Sequence, residues 1–204
     1  MSPLTKAQVL EPLARLRTDQ VVVSTMGAVR PWGLLSESEL DFASADSAMG
    51  HAADLALGVA LARPDRQVIC LNGDGSMLMT LGTLVTIVDS GAENLVLFVF
   101  ENGTYEITGN QRVPGAGTVD LAAMAAAAGF ERVFRFDESA AYEQALPDVL
   151  SAEGPVFVLL VIEEGTEGPI SRTPDEASAY LQVSLAESAR RVRSALIGGR
   201  NAEG

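Results

Sequence analysis

The sequence predicts an α/β fold, a doubly wound parallel sheet with helices on both faces, and three observations support it. The apolar runs at residues 68–71 and 95–100 are continuous rather than alternating, as strands buried on both faces must be. Segments with helical spacing separate these runs along the whole chain. Polar residues close two successive strands: Asp74 between Gly73 and Gly75, then Asn102 before Gly103. In open α/β sheets, ligands bind beyond the carboxyl ends of the strands, where both lie.

The elements follow in order. An amphipathic opening helix leads to the β-branched strand Val21-Val22-Val23. Residues 49–62 turn to alanine, leucine and glycine at helical spacing, which suits a helix packed close to a sheet, and Pro64 prevents its continuation. After the strand at 68–71, a helix beyond Gly75 places Met77, Leu78, Leu81, Leu84, Val85 and Val88 on one face, with Gly91 as its stop. The strand at 95–100 gives way to a loop at 109–118 rich in glycine, then to an alanine-rich helix at 119–128. A short strand at 133–135, a helix at 139–150 and a buried strand at 156–162 come next. A long amphipathic helix over 175–196 ends the fold. No repeat or linker interrupts the pattern, so one domain is expected over residues 1–204.

Composition narrows the functional classes. With 204 residues, 48% hydrophobic and 20% charged, the chain is long and apolar enough for a sizeable core. A formal net charge of −13 argues against nucleic acid or anionic membrane as a partner. The single cysteine, Cys70, excludes an internal disulfide framework and is expected as a small buried hydrophobe. No apolar run reaches the roughly 18 residues of a membrane helix, and no secretory leader is visible, so a soluble, cytoplasmic protein is expected.

The glycine-flanked aspartate poses an electrostatic question. A helix start following a strand attracts phosphate, because unpaired N–H groups and the helix dipole converge there. A carboxylate at that place repels phosphate unless a cation lies between them. Asp74 therefore makes sense as a ligand to a hard divalent ion, with Asn102 as a second oxygen donor. Dinucleotide binding fits poorly, since Leu78 stands where a third glycine is needed, and no Gly-Lys-Ser/Thr marks a P-loop.

The segments Ser47-Ala48-Met49-Gly50-His51, Gly73-Asp74-Gly75-Ser76 and Asn102-Gly103-Thr104-Tyr105 together resemble the diphosphate-binding domain of the thiamine-diphosphate-dependent enzymes. The finer likeness, over 47–51, 73–79 and 102–111, is to the sulfopyruvate decarboxylase β subunit and phosphonopyruvate decarboxylase group. The resemblance implies thiamine diphosphate and Mg²⁺ as cofactors, the ion held by Asp74, Asn102 and the carbonyl of Thr104. It places Gly73, Gly75, Ser76 and Tyr105 around the diphosphate. It assigns Ser47, Ala48 and Gly50 to the pyrimidine end, with the Ser47 carbonyl accepting from the amino group and Met49 wedged between the two rings. His51, the only histidine, could move a proton near neutrality and is a catalytic candidate. Glu101 and Asp46 depart from the family pattern and add negative charge near the cofactor.

In that family, activation begins at a glutamate of a second, pyrimidine-binding domain. The resemblance thus implies an α-subunit partner, a hetero-oligomer, and decarboxylation of a small 2-oxo acid. Arg112, and more weakly Arg30 and Arg172, are candidates for meeting a sulfonate or phosphonate. Two alternatives stay open: a component of another split thiamine enzyme, such as an acetolactate-synthase-like or oxidoreductase assembly, and a non-catalytic cofactor-binding module.

Overall fold

The computed structural model describes residues 3–43 and 49–198. Six parallel strands form one sheet in the order β2-β1-β3-β4-β8-β7. They are β1 (Val21–Ser24), β2 (Asp41–Ala43), β3 (Val68–Gly73), β4 (Leu95–Glu101), β7 (Arg132–Phe136) and β8 (Val156–Val161). Strands β5 (Thr104–Tyr105) and β6 (Gln111–Arg112) make a separate antiparallel hairpin. The predicted doubly wound class is therefore the observed one.

The central strands have side chains buried on both faces, and successive residues serve different cores. Val21, Val23, Cys70, Leu97 and Phe157 belong to one apolar cluster; Val22, Ile69, Phe98 and Val158 belong to the other. The first cluster includes residues of α3 (Ala52–Ala62), α5 (Thr83–Asp89), α6 (Leu121–Ala128) and α8 (Leu185–Gly198). The second takes α1 (Lys6–Leu16), α2 (Val29–Leu35) and α7 (Ser139–Ser151). Burying one such Val, Leu or Phe is worth about 1.5–3 kcal/mol, so period-two polarity would be costly here. Cys70 is fully buried, and burial pushes its thiol up, away from the reactive thiolate.

Among the elements that differ from expectation, three do so for local reasons. The helix expected beyond Gly75 is broken in two, α4 (Asp74–Met79) and α5, because Thr80 leaves helical geometry and its hydroxyl bonds the Gly50 carbonyl. The break rotates the second half, burying Ile87 and exposing Val85. The helix expected from residue 175 begins only at Leu185. Before it, Glu176 is tied to Arg30, and Leu181 is buried with Val29 and Ala43. Strand β2 escaped the sequence because it has only three residues and opens on a buried charge: Asp41, 3% exposed, pairs with Arg17 at 3.4 Å and accepts from Ser36. Among the described residues, no helix is long and apolar enough to cross a membrane.

Chain order reverses between β1 and β3, since β2 lies beyond β1 while β4, β8 and β7 extend the other way. The carboxyl ends of β1 and β3 therefore diverge into loops on opposite faces and leave a crevice between them.

Candidate functional site

A cavity fills that crevice. Its walls come from the loop after β1 (Thr25 to Ala28), the β3–α4 junction (Asn72 to Ser76), the loop after β4 (Asn102 to Thr108 without Gly103), and Lys6, Leu10 and Met49. Of the residues singled out from sequence, it brings together Met49, Gly73, Asp74, Gly75, Ser76, Asn102, Thr104 and Tyr105.

Asp74 is the first residue of α4 and only 4% exposed. One carboxylate oxygen accepts from the Gly75 N–H at 2.7 Å, the other from the Gly103 N–H at 2.8 Å. Two adjacent strand-end loops are thus joined through one side chain. Burial raises its pKa above the ordinary carboxylate range, and the Gly103 and Gly75 amides pull it partly back. A cation at this place would favour the ionised form directly. Gly75 must be glycine for a steric reason: a Cβ there would run into the Tyr105 ring and come within 3.0 Å of Val113.

The loop after β4 is organised by its own side chains. Asn102 Oδ1 accepts from the Thr104 N–H at 3.0 Å, a tight Asx turn that leads into the β5–β6 hairpin. Thr104 Oγ1 donates to Asn110 at 2.8 Å, and Asn110 holds a left-handed backbone at φ 58°.

On the other side, the Gly50 N–H donates to Ser76 Oγ at 2.9 Å while its carbonyl receives Thr80. Gly50 itself sits at φ +85°, and a Cβ would meet Met79 at 3.0 Å. These ties fix the chain at Gly50, beside Met49 in the cavity wall. Ser47 and Ala48 of the same predicted segment, and Asp46 before them, lie outside the described residues.

Three features were not foreseen. Thr25, 1% exposed at the end of β1, lines the cavity with a buried hydroxyl that has no hydrogen-bond partner among the described residues. Met26 follows at φ 50°, a left-handed conformation that costs of order 1–3 kcal/mol for a side chain of this size. Lys6 donates to both oxygens of Glu106 at 2.6 and 2.7 Å, a pair on the cavity wall with side chains 16% and 4% exposed. A lysine at a helix start and a glutamate opening a single 3₁₀ turn have no sequence signature. Only the fold brings them together.

Other candidates lie elsewhere. His51 precedes α3, is exposed, pairs with Asp54 at 2.7 Å, and is absent from the cavity lining. Glu101 faces Arg135 at 3.5 Å; burial raises its pKa, against the pull of that arginine. Arg112 is exposed and bonds the Ala116 carbonyl. Arg30 is held between Glu167 and Glu176, which raise its pKa further, and Arg172 bonds the carbonyls of Ala43 and Val183. None of the three arginines lines the cavity.

Comparison with known proteins identifies the family. Residues 25–160 match the family model described as thiamine pyrophosphate enzyme, C-terminal TPP binding domain. The chain is 39% identical over 183 residues to phosphonopyruvate decarboxylase of Streptomyces viridochromogenes, covering 89% of this chain and 43% of that one. It is 34% identical over 163 residues to sulfopyruvate decarboxylase subunit beta of Methanothermobacter thermautotrophicus, covering 79% and 84%. The chain thus spans less than half of the phosphonopyruvate decarboxylases it matches. In structure, benzoylformate decarboxylase from Polynucleobacter necessarius superposes with a TM-score of 0.70 at 21% identity, over 82% of this chain and 35% of that one. Asp74 and Asn102 fall inside the matched segment, and the chain belongs to the thiamine pyrophosphate enzyme family as its C-terminal, TPP-binding domain.

Proposed function

We propose that this chain, acting as one domain, holds thiamine diphosphate with Mg²⁺ and forms, with a pyrimidine-binding α subunit, a cytoplasmic 2-oxo acid decarboxylase of the sulfopyruvate or phosphonopyruvate type. The observation that carries the reading is Asp74: a buried carboxylate, clamped by amides from two strand-end loops, at the reversal point of the sheet.

The residues present suit the cofactor. Asp74, the Asn102 amide oxygen and the Thr104 carbonyl are hard oxygen donors of the kind Mg²⁺ takes. The orphaned Thr25 hydroxyl is a donor awaiting an acceptor, and a diphosphate oxygen would supply it. Ser76 accepts from Gly50 and keeps its own proton for donation to the same group. Met49 lines the cavity where the family's wedge between the two rings is expected. When bound, the cofactor supplies the electron sink for loss of CO₂ from a 2-oxo acid. The chain's own residues bind it, orient it and neutralise its charge.

Two features support a partner. The relative of similar length is named a subunit, whereas the phosphonopyruvate decarboxylases are more than twice the length matched. In addition, Lys6 is the one cationic side chain of the cavity wall among the described residues, and Glu106 engages it. A sulfonate or phosphonate would therefore meet cations of the α subunit.

The test is calorimetric titration of the chain with thiamine diphosphate, with and without Mg²⁺. It is followed by CO₂-release assays on sulfopyruvate, phosphonopyruvate and pyruvate after co-expression with a pyrimidine-domain chain. Mg²⁺-dependent binding, and turnover in the complex only, are expected. Absence of Mg²⁺-dependent binding even in the complex would overturn the assignment.

A further inference from the structure

The Lys6–Glu106 pair does more than close a wall. Among the described residues, the Glu106 carboxylate receives four hydrogen bonds from three donors: Lys6 on both oxygens, the Glu167 N–H at 2.8 Å, and Asn102 Nδ2 at 3.4 Å. It sits so tightly that a Cβ on Gly27 would lie 2.6 Å from it, and one on Gly165 would overlap it. It therefore has one position, and an ionised carboxylate only accepts.

That has a consequence for Asn102. A side-chain amide is nearly symmetric in shape and can present oxygen or nitrogen to a given neighbour. Here its oxygen faces the Thr104 N–H and its nitrogen faces Glu106. Reversal would set oxygen against carboxylate and N–H against N–H, two repulsive pairs in place of two attractive ones.

We infer that Glu106, held in place by Lys6 and the Glu167 N–H, is a positioning residue that locks the Asn102 amide with its oxygen available to a divalent cation. The inference rests on the function proposed above and deepens it. Partners one shell out from a ligand typically change metal affinity about 10- to 100-fold when lost.

The test is the Mg²⁺ affinity of the full chain, read by calorimetry at fixed thiamine diphosphate, in a cycle of Glu106→Gln with Asn102→Asp. A glutamine at 106 offers both a donor and an acceptor, so Asn102 can turn over, and Mg²⁺ affinity is expected to fall at least tenfold. An aspartate at 102 has two equivalent oxygens and nothing to orient, so adding Glu106→Gln there is expected to cause no further loss. A merely structural role would lower affinity equally in both backgrounds, and that result, or no loss in either, overturns the inference. If Glu106→Gln fails to fold by circular dichroism, Glu106→Asp retracts the carboxylate from Asn102 while keeping its charge. The same tenfold loss is then expected, and unchanged affinity refutes the idea. Wild-type chain that shows no Mg²⁺-dependent cofactor binding even in complex with a pyrimidine-domain chain would sink the proposed function, and the inference with it.

Discussion

Lys6→Met tests the energetics of the cavity wall most directly. It removes both donors at 2.6 and 2.7 Å and leaves Glu106, 4% exposed in its side chain, with the Glu167 N–H and a long contact to Asn102. Breaking one side of a buried ion pair costs about 3–5 kcal/mol. The expected destabilisation is therefore about 3–5 kcal/mol. The double variant Lys6→Met, Glu106→Gln buries no charge there and should lose only about 1–2 kcal/mol. Urea unfolding of the wild type and the two variants measures this. A loss below about 1 kcal/mol for Lys6→Met, or a double variant less stable than Lys6→Met, would refute the reasoning.

Further outcomes follow from the same geometry. Because burial raises the Asp74 pKa, the folded chain binds protons more tightly than the unfolded one above the ordinary carboxylate value. Its contribution to stability therefore falls as pH rises through that interval. Asp74→Asn should remove this component, so wild type should lose ground against it from pH 4 to 7; a flat or rising difference in urea unfolding contradicts this. Thr25→Val deletes an orphaned buried hydroxyl and should raise the stability of the cofactor-free chain by about 1 kcal/mol. The same change should weaken thiamine diphosphate about tenfold; unfolding and calorimetry on one sample check both signs. His51→Ala disturbs only an exposed pair with Asp54 and should shift stability by less than about 0.5 kcal/mol, with cofactor affinity unchanged within twofold. A larger change in titration would place the histidine nearer the site than its surroundings indicate.

Much of the fold could be read from the chain because parallel strands buried on both faces are continuous apolar runs, and β3, β4 and β8 are such runs. What escaped were elements whose stability is tertiary. Strand β2 exists because Asp41 has Arg17 and Ser36 to meet it, and α2 because Trp32 has a core to enter. The break at Thr80 depends on a carbonyl thirty residues earlier in the chain. The site divides in the same way. Asp74 and Asn102 stand out because charge and amide close apolar strands. Thr25, Lys6 and Glu106 are ordinary residues until the sheet reversal gathers them around one cavity.

The ends of the sheet carry a consequence for assembly. An open parallel sheet has two edge strands, and an uncovered edge invites another chain to extend it, the route to aggregation. At one end β7 shows exposed Arg132 and Arg135, and the Arg132 guanidinium is bonded to the Glu153 carbonyl. At the other, the Ala43 carbonyl of β2 is taken by Arg172, and α8 packs over the strand. Both flanks are thus poorly suited to strand addition. The partner proposed above would therefore approach along the strand axes, onto the loops at their carboxyl ends, so that assembly and closure of the site would be the same event.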